Sequence, residues 1–190
     1  MQELKDRILK EGRVLPGNII KVDGFLNHRI DTRLMRNIAD EFGKHFNMDE
    51  VTMILTAEAS GIALATMVAQ RFDKPLLYAK KAKSDNIEGG LYQSEIHSYT
   101  YKKKVTLLVS KDWIGKDDRV LIVDDFMRGG GTAHGMLSLL EEFNCKCAGM
   151  CFVMAMESAE KAIENQKSLM IMGDIVDGQV ADIRVSDWVK

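Results

Sequence analysis

Two neighbouring carboxylates followed by three glycines and a threonine form the stretch of this sequence that is best suited to chemistry. Asp124 and Asp125 come directly after the apolar run 120–123, and the glycines of 129–131 lead into Thr132. Glycines let backbone N–H groups approach an anion closely, and the first turn of a helix favours phosphate. Carboxylates accept hydrogen bonds from sugar hydroxyls and can hold Mg²⁺ through water. The pattern therefore predicts a site for a sugar phosphate together with a divalent cation.

This loop differs from two common nucleotide-binding loops. The sequence contains neither the G-x-x-x-x-G-K-[ST] pattern nor the G-x-G-x-x-G pattern. The alternative interpretation is a glycine-rich turn capped by Thr132, with both acids merely solvated. The combination of apolar run, acid pair, glycines and threonine favours the binding site.

The elements that must position this loop alternate between strand and helix patterns. A short helix over 2–11 should end at Gly12, with Leu4, Ile8 and Leu9 on one side, and Asp31 should cap a second helix. Apolar runs typical of strands cover 51–56, 76–79, 119–124 and 146–155, and helical patterns cover 62–72 and 132–143. Such alternation predicts an α/β fold with a parallel sheet and flanking helices. Unbroken apolar runs further predict strands that are buried on both faces.

The segment between the second and third of these strands breaks the alternation. Residues 80–110 resemble the two extended arms of an antiparallel excursion. Because residues 82–104 are largely polar, we expect them to have little surface to bury and to be mobile without a ligand.

Composition narrows the class of protein. A chain of 190 residues fits one domain over 1–190, and its net charge of −2 gives no general attraction to nucleic acid. No apolar run approaches the length of a membrane span and the first residues are polar, so we expect a cytoplasmic protein without a membrane partner. Cys145, Cys147 and Cys151 share parity on a predicted strand. We expect all three to be buried core residues rather than metal ligands or disulfide partners.

Three segments of the sequence together resemble a known family. Residues 120–132 resemble the motif with which type 1 phosphoribosyltransferases bind 5-phosphoribosyl-1-pyrophosphate (PRPP). The likeness extends over nearly the whole chain and is strongest to the bacterial xanthine phosphoribosyltransferases. Residues 21–28 are similar to their base-recognition segment, placed here at about 16–30, and residues 54–63 are similar to their pyrophosphate loop. The resemblance implies transfer of ribose 5-phosphate from PRPP to a purine base.

The resemblance also implies a role for each matching position. Asp124 and Asp125 would be the catalytic acids that hold the ribose hydroxyls, and Mg²⁺ would be held by PRPP and water without a direct protein ligand. The residues implied to bind PRPP are Glu58, Ala59, Ser60, Gly61, Lys80 (with Lys81 as the alternative lysine), Arg128, Gly129, Gly130, Gly131 and Thr132. The residues implied to contact the base are Ile20, Asn27 and Met156. The excursion 82–104 would be a hood over PRPP, and family members are commonly homodimers.

Three alternatives stay open at the level of the sequence. Taken alone, Ser60 could be a helix cap rather than part of a pyrophosphate loop. Xanthine phosphoribosyltransferases carry a base-reading lysine where this chain has Met156, which predicts weak discrimination between xanthine and other purines, unless Lys161 takes that place. A PRPP-sensing regulator, like the effector domain of purine-operon repressors, is the second functional class. The sequence offers no helix-turn-helix with a basic recognition helix to support it.

Overall fold

The computed structural model describes residues 1–15, 19–81, 90–98, 103–161, 163–176, 179–180 and 182–189. The helices are α1 (Gln2–Glu11), α2 (Thr32–Gly43), α3 (Ser60–Arg71), α4 (Gly131–Phe143) and α5 (Glu157–Glu160). The strands are β1 (Arg13–Leu15), β2 (Ile19–Lys21), β3 (Met53–Ala57), β4 (Leu76–Ala79), β5 (Leu91–Ser98), β6 (Lys103–Ser110), β7 (Arg119–Met127), β8 (Lys146–Met156), β9 (Gln166–Met172), β10 (Ile175–Val176), β11 (Gln179–Val180) and β12 (Ile183–Val185). Of the described helices, none is long and apolar enough to cross a membrane.

A six-stranded sheet in the order β12-β9-β8-β7-β3-β4 forms the centre of the molecule. The five strands from β4 to β9 run parallel to their neighbours, and β12 joins the edge antiparallel to β9. The predicted α/β fold with a mainly parallel sheet is therefore confirmed. Because the strands are parallel, the carboxyl ends of β3, β7 and β8 meet at one edge, where ligands of such sheets bind.

Alternate residues of β7 face two separate apolar clusters, one on each side of the sheet. Leu121 and Val123 pack into the cluster that includes residues of α1, α2 and α3. Val120 and Ile122 pack into the cluster that includes α4 and the antiparallel pair β5–β6. The unbroken apolar run in the sequence thus reflects burial on both faces, as predicted.

The ends of the first two helices follow the predicted signals, with one correction. The Asp31 carboxylate accepts a hydrogen bond from the backbone N–H of Leu34, which caps α2, and α1 ends before Gly12. Leu9, which was predicted to lie on the buried side of α1, is instead 61% exposed. Leu4 and Ile8, four residues apart, form the buried stripe, and Leu9 lies one residue beyond it on the next face.

β7 and β8 are longer than their apolar runs predicted. β7 continues past Asp124 and Asp125 to Met127, because its ladder with β8 continues through the pairs Phe126–Met154 and Met127–Ala155. Both acids therefore lie within the strand, before the loop begins. Because the sheet fixes their backbone, it also restricts how far the two carboxylates can approach each other.

The prediction that all three cysteines are buried is correct only for Cys151. Cys147 is exposed and Cys145 is half-buried. The reason is a register shift at the start of β8, where Val120 pairs with Cys147 but Leu121 pairs with Gly149. The extra residue reverses the alternation of side chains, so Cys147 and Cys151 do not share a face. Burial raises the pKa of the Cys145 thiol to about 11, so this thiol stays protonated at neutral pH.

The excursion contains an antiparallel pair, β5–β6, as predicted. Residues 82–89 and 99–102 of the predicted hood lie outside the described residues. Within the described part of the hood, Ile96 is buried against α4, whereas residues 90–95 are exposed or partly exposed. A Cβ on Gly135 of α4 would come within 2.1 Å of the Ile96 Cγ2 atom, so the close contact requires glycine there. Whether the hood closes over PRPP stays a prediction.

Candidate functional site

A cavity of about 430 Å³ opens at the carboxyl edge of the sheet. Its volume lies within the usual range for small-molecule sites. Its walls come from the β2 region, the start of α3, the ends of β7 and β8, and the loop before α4. The lining residues are Ile19, Ile20, Val22, Asn27, Ala57, Ala59, Ser60, Lys81, Asp124, Asp125, Phe126, Met127, Arg128, Gly129, Gly130, Gly131, Thr132, Ala133, Phe152 and Met154.

The two acids at the centre of the cavity have different partners. Asp125 accepts a hydrogen bond on each carboxylate oxygen, from Ser60 Oγ at 3.0 Å and from Asn27 Nδ2 at 2.8 Å. Asp124 Oδ1 accepts the backbone N–H of Asp125 at 2.9 Å. Two side chains far apart in sequence therefore orient Asp125, whereas Asp124 is bound by its own strand.

Burial and a neighbouring charge act together on Asp124. Both carboxylates are buried, and desolvation followed by the charge of Asp125 raises the pKa of Asp124 well above its ordinary value. The backbone N–H of Asp125 and the ammonium group of Lys81 act in the opposite direction. The neutral form of Asp124 is therefore favoured relative to a solvent-exposed aspartate.

The start of α3 lies directly against the acid pair. A Cβ on Gly61 would come within 2.1 Å of Thr56 Oγ1 and 2.5 Å of Asp124 Oδ1, so no other residue fits without a shift. Thr56 is fully buried, and its hydroxyl has no hydrogen-bond partner among the described residues. Ser60 opens the helix but does not cap it, because its hydroxyl donates to Asp125 instead. The side chain of Ser60 therefore acts on the acid pair and not on the helix end.

The remaining residues predicted to bind pyrophosphate divide between the wall of the cavity and its support. Ala59 and Ser60 line the cavity, but Glu58 does not, and its carboxylate accepts the backbone N–H of Lys81. The backbone of Lys80 pairs with Leu108 of β6 in both directions. Lys81, rather than the predicted Lys80, lines the cavity. Lys80 and Lys81 are adjacent and follow β4 directly, so a shift of one residue decides which side chain lines the cavity. The sequence alone is compatible with either lysine.

The predicted phosphate loop forms one wall of the cavity. Arg128, Gly129, Gly130, Gly131 and Thr132 all line it, and α4 begins at Gly131, one residue earlier than predicted. Gly130 has a φ of +74°, a left-handed conformation that glycine adopts without strain. The amino end of α4 therefore faces the cavity with its unpaired N–H groups, which suits an anion.

The base side of the cavity is built mainly from apolar side chains. Ile20 and Asn27 line it as predicted, but Met156 is not among the lining residues. Met154 and Phe152, which precede it on β8, are buried and form that wall. Phe152 packs into the apolar cluster on the α4 side of the sheet and Met154 into the cluster on the other side, so simple strand alternation from Met156 does not predict both residues. Lys161 is 70% exposed and bonds to Glu157, so it does not take the place of a base-reading lysine.

The donor set suits a metal ion that arrives with its ligand. Among the described residues no group of three or more His, Cys, Asp or Glu side chains is arranged to hold a metal. Asp125 accepts two hydrogen bonds and Asp124 one, which leaves lone pairs on both carboxylates for water or hydroxyl donors. Such a site fits Mg²⁺ that is held largely by phosphate oxygens and water.

Comparison with known proteins gives a consistent result. The family model described as "Phosphoribosyl transferase domain" matches residues 26–186. A xanthine phosphoribosyltransferase of Clostridium novyi is 40% identical over 186 residues, covering 95% of this chain and 98% of that protein. One of Staphylococcus aureus is 42% identical over 165 residues, covering 87% and 83%.

Solved structures agree on the fold. The adenine phosphoribosyltransferase of Giardia lamblia, solved with 9-deazaadenine, has a TM-score of 0.73 at 19% identity and covers 90% of this chain and 97% of its own. The enzyme of Thermoanaerobacter pseudethanolicus has a TM-score of 0.70 at 18% identity and covers 90% and 99%. The family match, the relatives and the fold together show that the chain belongs to the phosphoribosyl transferase domain family.

Proposed function

We propose that this protein is a purine phosphoribosyltransferase that transfers ribose 5-phosphate from PRPP to xanthine and releases pyrophosphate. The observation that carries the proposal is the shared cavity, which is lined by the acid pair Asp124–Asp125, the glycine loop 128–132 and the apolar residues of the proposed base side. The relatives named as xanthine phosphoribosyltransferases, at about 40% identity over nearly the whole chain, support the same assignment.

The chain's own groups fit the charge that such a reaction develops. As pyrophosphate departs from the anomeric carbon, positive charge grows on the ribose ring. An acid pair whose backbone is fixed by β7 would stabilise that charge without reorganisation. Lys81 lines the same cavity and would favour the departing anion. None of the three cysteines lines the cavity, so the mechanism includes no thiol nucleophile.

The cavity also suits the two anionic ends of PRPP. The left-handed Gly130 and the amino end of α4 would hold the 5′-phosphate through backbone N–H groups. Ala59 and Ser60, at the amino end of α3, would meet the pyrophosphate. Mg²⁺ bound with PRPP would neutralise part of the pyrophosphate charge. No direct protein ligand to Mg²⁺ is proposed.

Xanthine is the base we propose, with weak discrimination against guanine and hypoxanthine. Xanthine loses a proton near neutral pH, and a lysine at position 156 would stabilise the resulting anion as a point charge. Met156 offers only a soft apolar surface. Met154 and Phe152 present further apolar surface to the base. Such a wall binds the flat face of any purine and discriminates little between their edges.

An activity assay tests the proposal directly. The protein is mixed with PRPP, Mg²⁺ and one purine at a time, and both pyrophosphate and nucleoside monophosphate are measured. We expect equal amounts of the two products, with xanthine turned over fastest. PRPP binding without product formation from any purine would instead support a sensing role, and absence of PRPP binding would contradict both functions.

We also propose that the enzyme acts in the cytoplasm as a homodimer. The similarity to xanthine phosphoribosyltransferases supports the location, and the resemblance to a family whose members are commonly homodimers supports the assembly. Light scattering on the purified chain, with and without PRPP, measures the assembly. A mass of one chain under both conditions would contradict the dimer.

A further inference from the structure

Asn27 connects two parts of the cavity that serve different substrates in the proposed function. It belongs to the base-recognition segment, yet its side-chain amide donates to Asp125 Oδ2 at 2.8 Å. The two residues are 98 positions apart in the sequence. This contact is not a feature of the base site alone, because it joins that site to the carboxylate expected to hold the ribose.

The segment that carries Asn27 is firmly held. Phe25 and Leu26, which immediately precede it, are 1% and 0% exposed. The backbone N–H of Leu26 bonds to the Val22 carbonyl, and the Arg7 guanidinium lies 4.8 Å from the centre of the Phe25 ring. An amide anchored in this way can fix the orientation of a partner rather than follow it.

The contact leaves room for a ligand on the same carboxylate. A carboxylate offers about four lone-pair sites, and Asn27 and Ser60 use one on each oxygen of Asp125. Two sites are left for sugar hydroxyls. The two donors therefore set the plane of the carboxylate without competing for the remaining lone pairs.

We propose that Asn27 is a positioning residue for Asp125, so that a residue of the base site also determines how tightly the free enzyme binds PRPP. This inference rests on the proposed function, since it takes Asp125 as the group that holds the ribose. It predicts that the two substrate sites are energetically coupled through one hydrogen bond. Such coupling is reciprocal by thermodynamic necessity.

The test measures PRPP binding with Mg²⁺ and no purine present, by titration calorimetry. Asn27→Ala removes the donor, and we expect the Kd for PRPP to rise about tenfold, as for loss of one hydrogen bond to a charged group. Asn27→Gln keeps an amide donor on a longer side chain and should recover part of the affinity. The matched control is Ile20→Ala, which alters another residue lining the cavity whose apolar side chain donates no hydrogen bond to Asp125. Its KM for the purine should rise while its Kd for PRPP stays within about twofold.

Each outcome decides the question. An Asn27→Ala variant that binds PRPP as tightly as the parent, or more tightly, would overturn the positioning role and leave Asn27 as a base contact only. Asn27→Leu, which fills nearly the same volume without a donor, replaces the alanine variant if that one does not fold, and the same tenfold loss is expected. If the parent protein itself does not bind PRPP, the proposed function fails and not this inference alone.

Discussion

The two ends of the cavity that we propose for the phosphate and for the base are built on different principles. The phosphate end is one contiguous stretch, 128–132, that presents backbone N–H groups through glycines. The base end combines side chains from two separate segments, with Ile20 and Asn27 from one and Phe152 and Met154 from the other. Backbone groups are the same in every sequence, so the phosphate end depends on conformation. The base end depends on side-chain identity, and a single substitution there can change the substrate without disturbing the fold.

The largest effect is expected between these ends, at the acid pair. Replacing both Asp124 and Asp125 with Asn keeps their shape but removes the charge that would stabilise the ribose. We expect kcat to fall by a factor on the order of 10² or more. Steady-state assays with PRPP, Mg²⁺ and xanthine measure it, and circular dichroism checks that the fold is kept. Unchanged turnover in a folded double variant would remove the acid pair from the mechanism.

The next-largest effect is expected at the glycines that let the backbone come close to the phosphate and the acid pair. Gly130→Val, an obvious choice for the phosphate loop, is not a clean test. A Cβ there would lie 2.9 Å from Ile163 Cδ1 on a backbone with positive φ, so the free protein should lose stability as well.

Gly61→Ala places the change directly against the acid pair. Its Cβ would come within 2.1 Å of Thr56 Oγ1 and 2.5 Å of Asp124 Oδ1, so it must push the carboxylate or α3 aside and should also lower the stability of the free protein. We expect PRPP affinity of the folded variant to fall roughly 30-fold, about 2 kcal/mol, which is the usual size of an overpacking effect. Gly115→Ala, where a Cβ meets no atom within 4 Å, is the matched control and should bind PRPP like the parent. Equal PRPP affinity in both variants would mean that α3 and the acid pair need not approach closely.

Some features of the fold and the site could be predicted from the sequence and others could not, and the reason is physical. The phosphate loop, Asp31 as a cap and the parallel sheet follow from local patterns, and all lie where expected. The parity of Cys147 depends on a register shift between β7 and β8, which has no clear signal in the sequence. Which of the adjacent Lys80 and Lys81 lines the cavity depends on a single residue after β4, which local patterns do not resolve. The contact between Asn27 and Asp125 joins residues 98 positions apart, so no local pattern could reveal it.

The pH dependence of the free energy of unfolding tests Asp124 separately from Asp125, and its expected size is intermediate. The pKa of Asp124 is raised in the folded chain, so the folded state keeps a proton that the unfolded state has already released. The free energy of unfolding should therefore fall as pH rises from the ordinary carboxyl pKa to the raised one, by at most about 1.4 kcal/mol per pH unit. Asp124→Asn cannot titrate and should remove this fall. Urea unfolding from pH 4 to pH 8 measures it, and a variant with the same pH profile as the parent would show that Asp124 ionises normally.

The smallest effect sharpens the comparison at the base end. Met156→Lys would place an ammonium group at the end of β8, after the apolar residues Phe152 and Met154. Because the xanthine anion carries charge that hypoxanthine lacks, the lysine should raise kcat/KM for xanthine relative to hypoxanthine by about tenfold, or ~1.4 kcal/mol. Met156 does not line the cavity, so the longer lysine must reach past Met154 to contact the base. Met156→Gln, which is uncharged and of similar length, is the matched control and should leave the ratio near that of the parent. A parent already highly selective for xanthine, with a ratio that neither variant changes, would assign base selection to the segment around Asn27 instead.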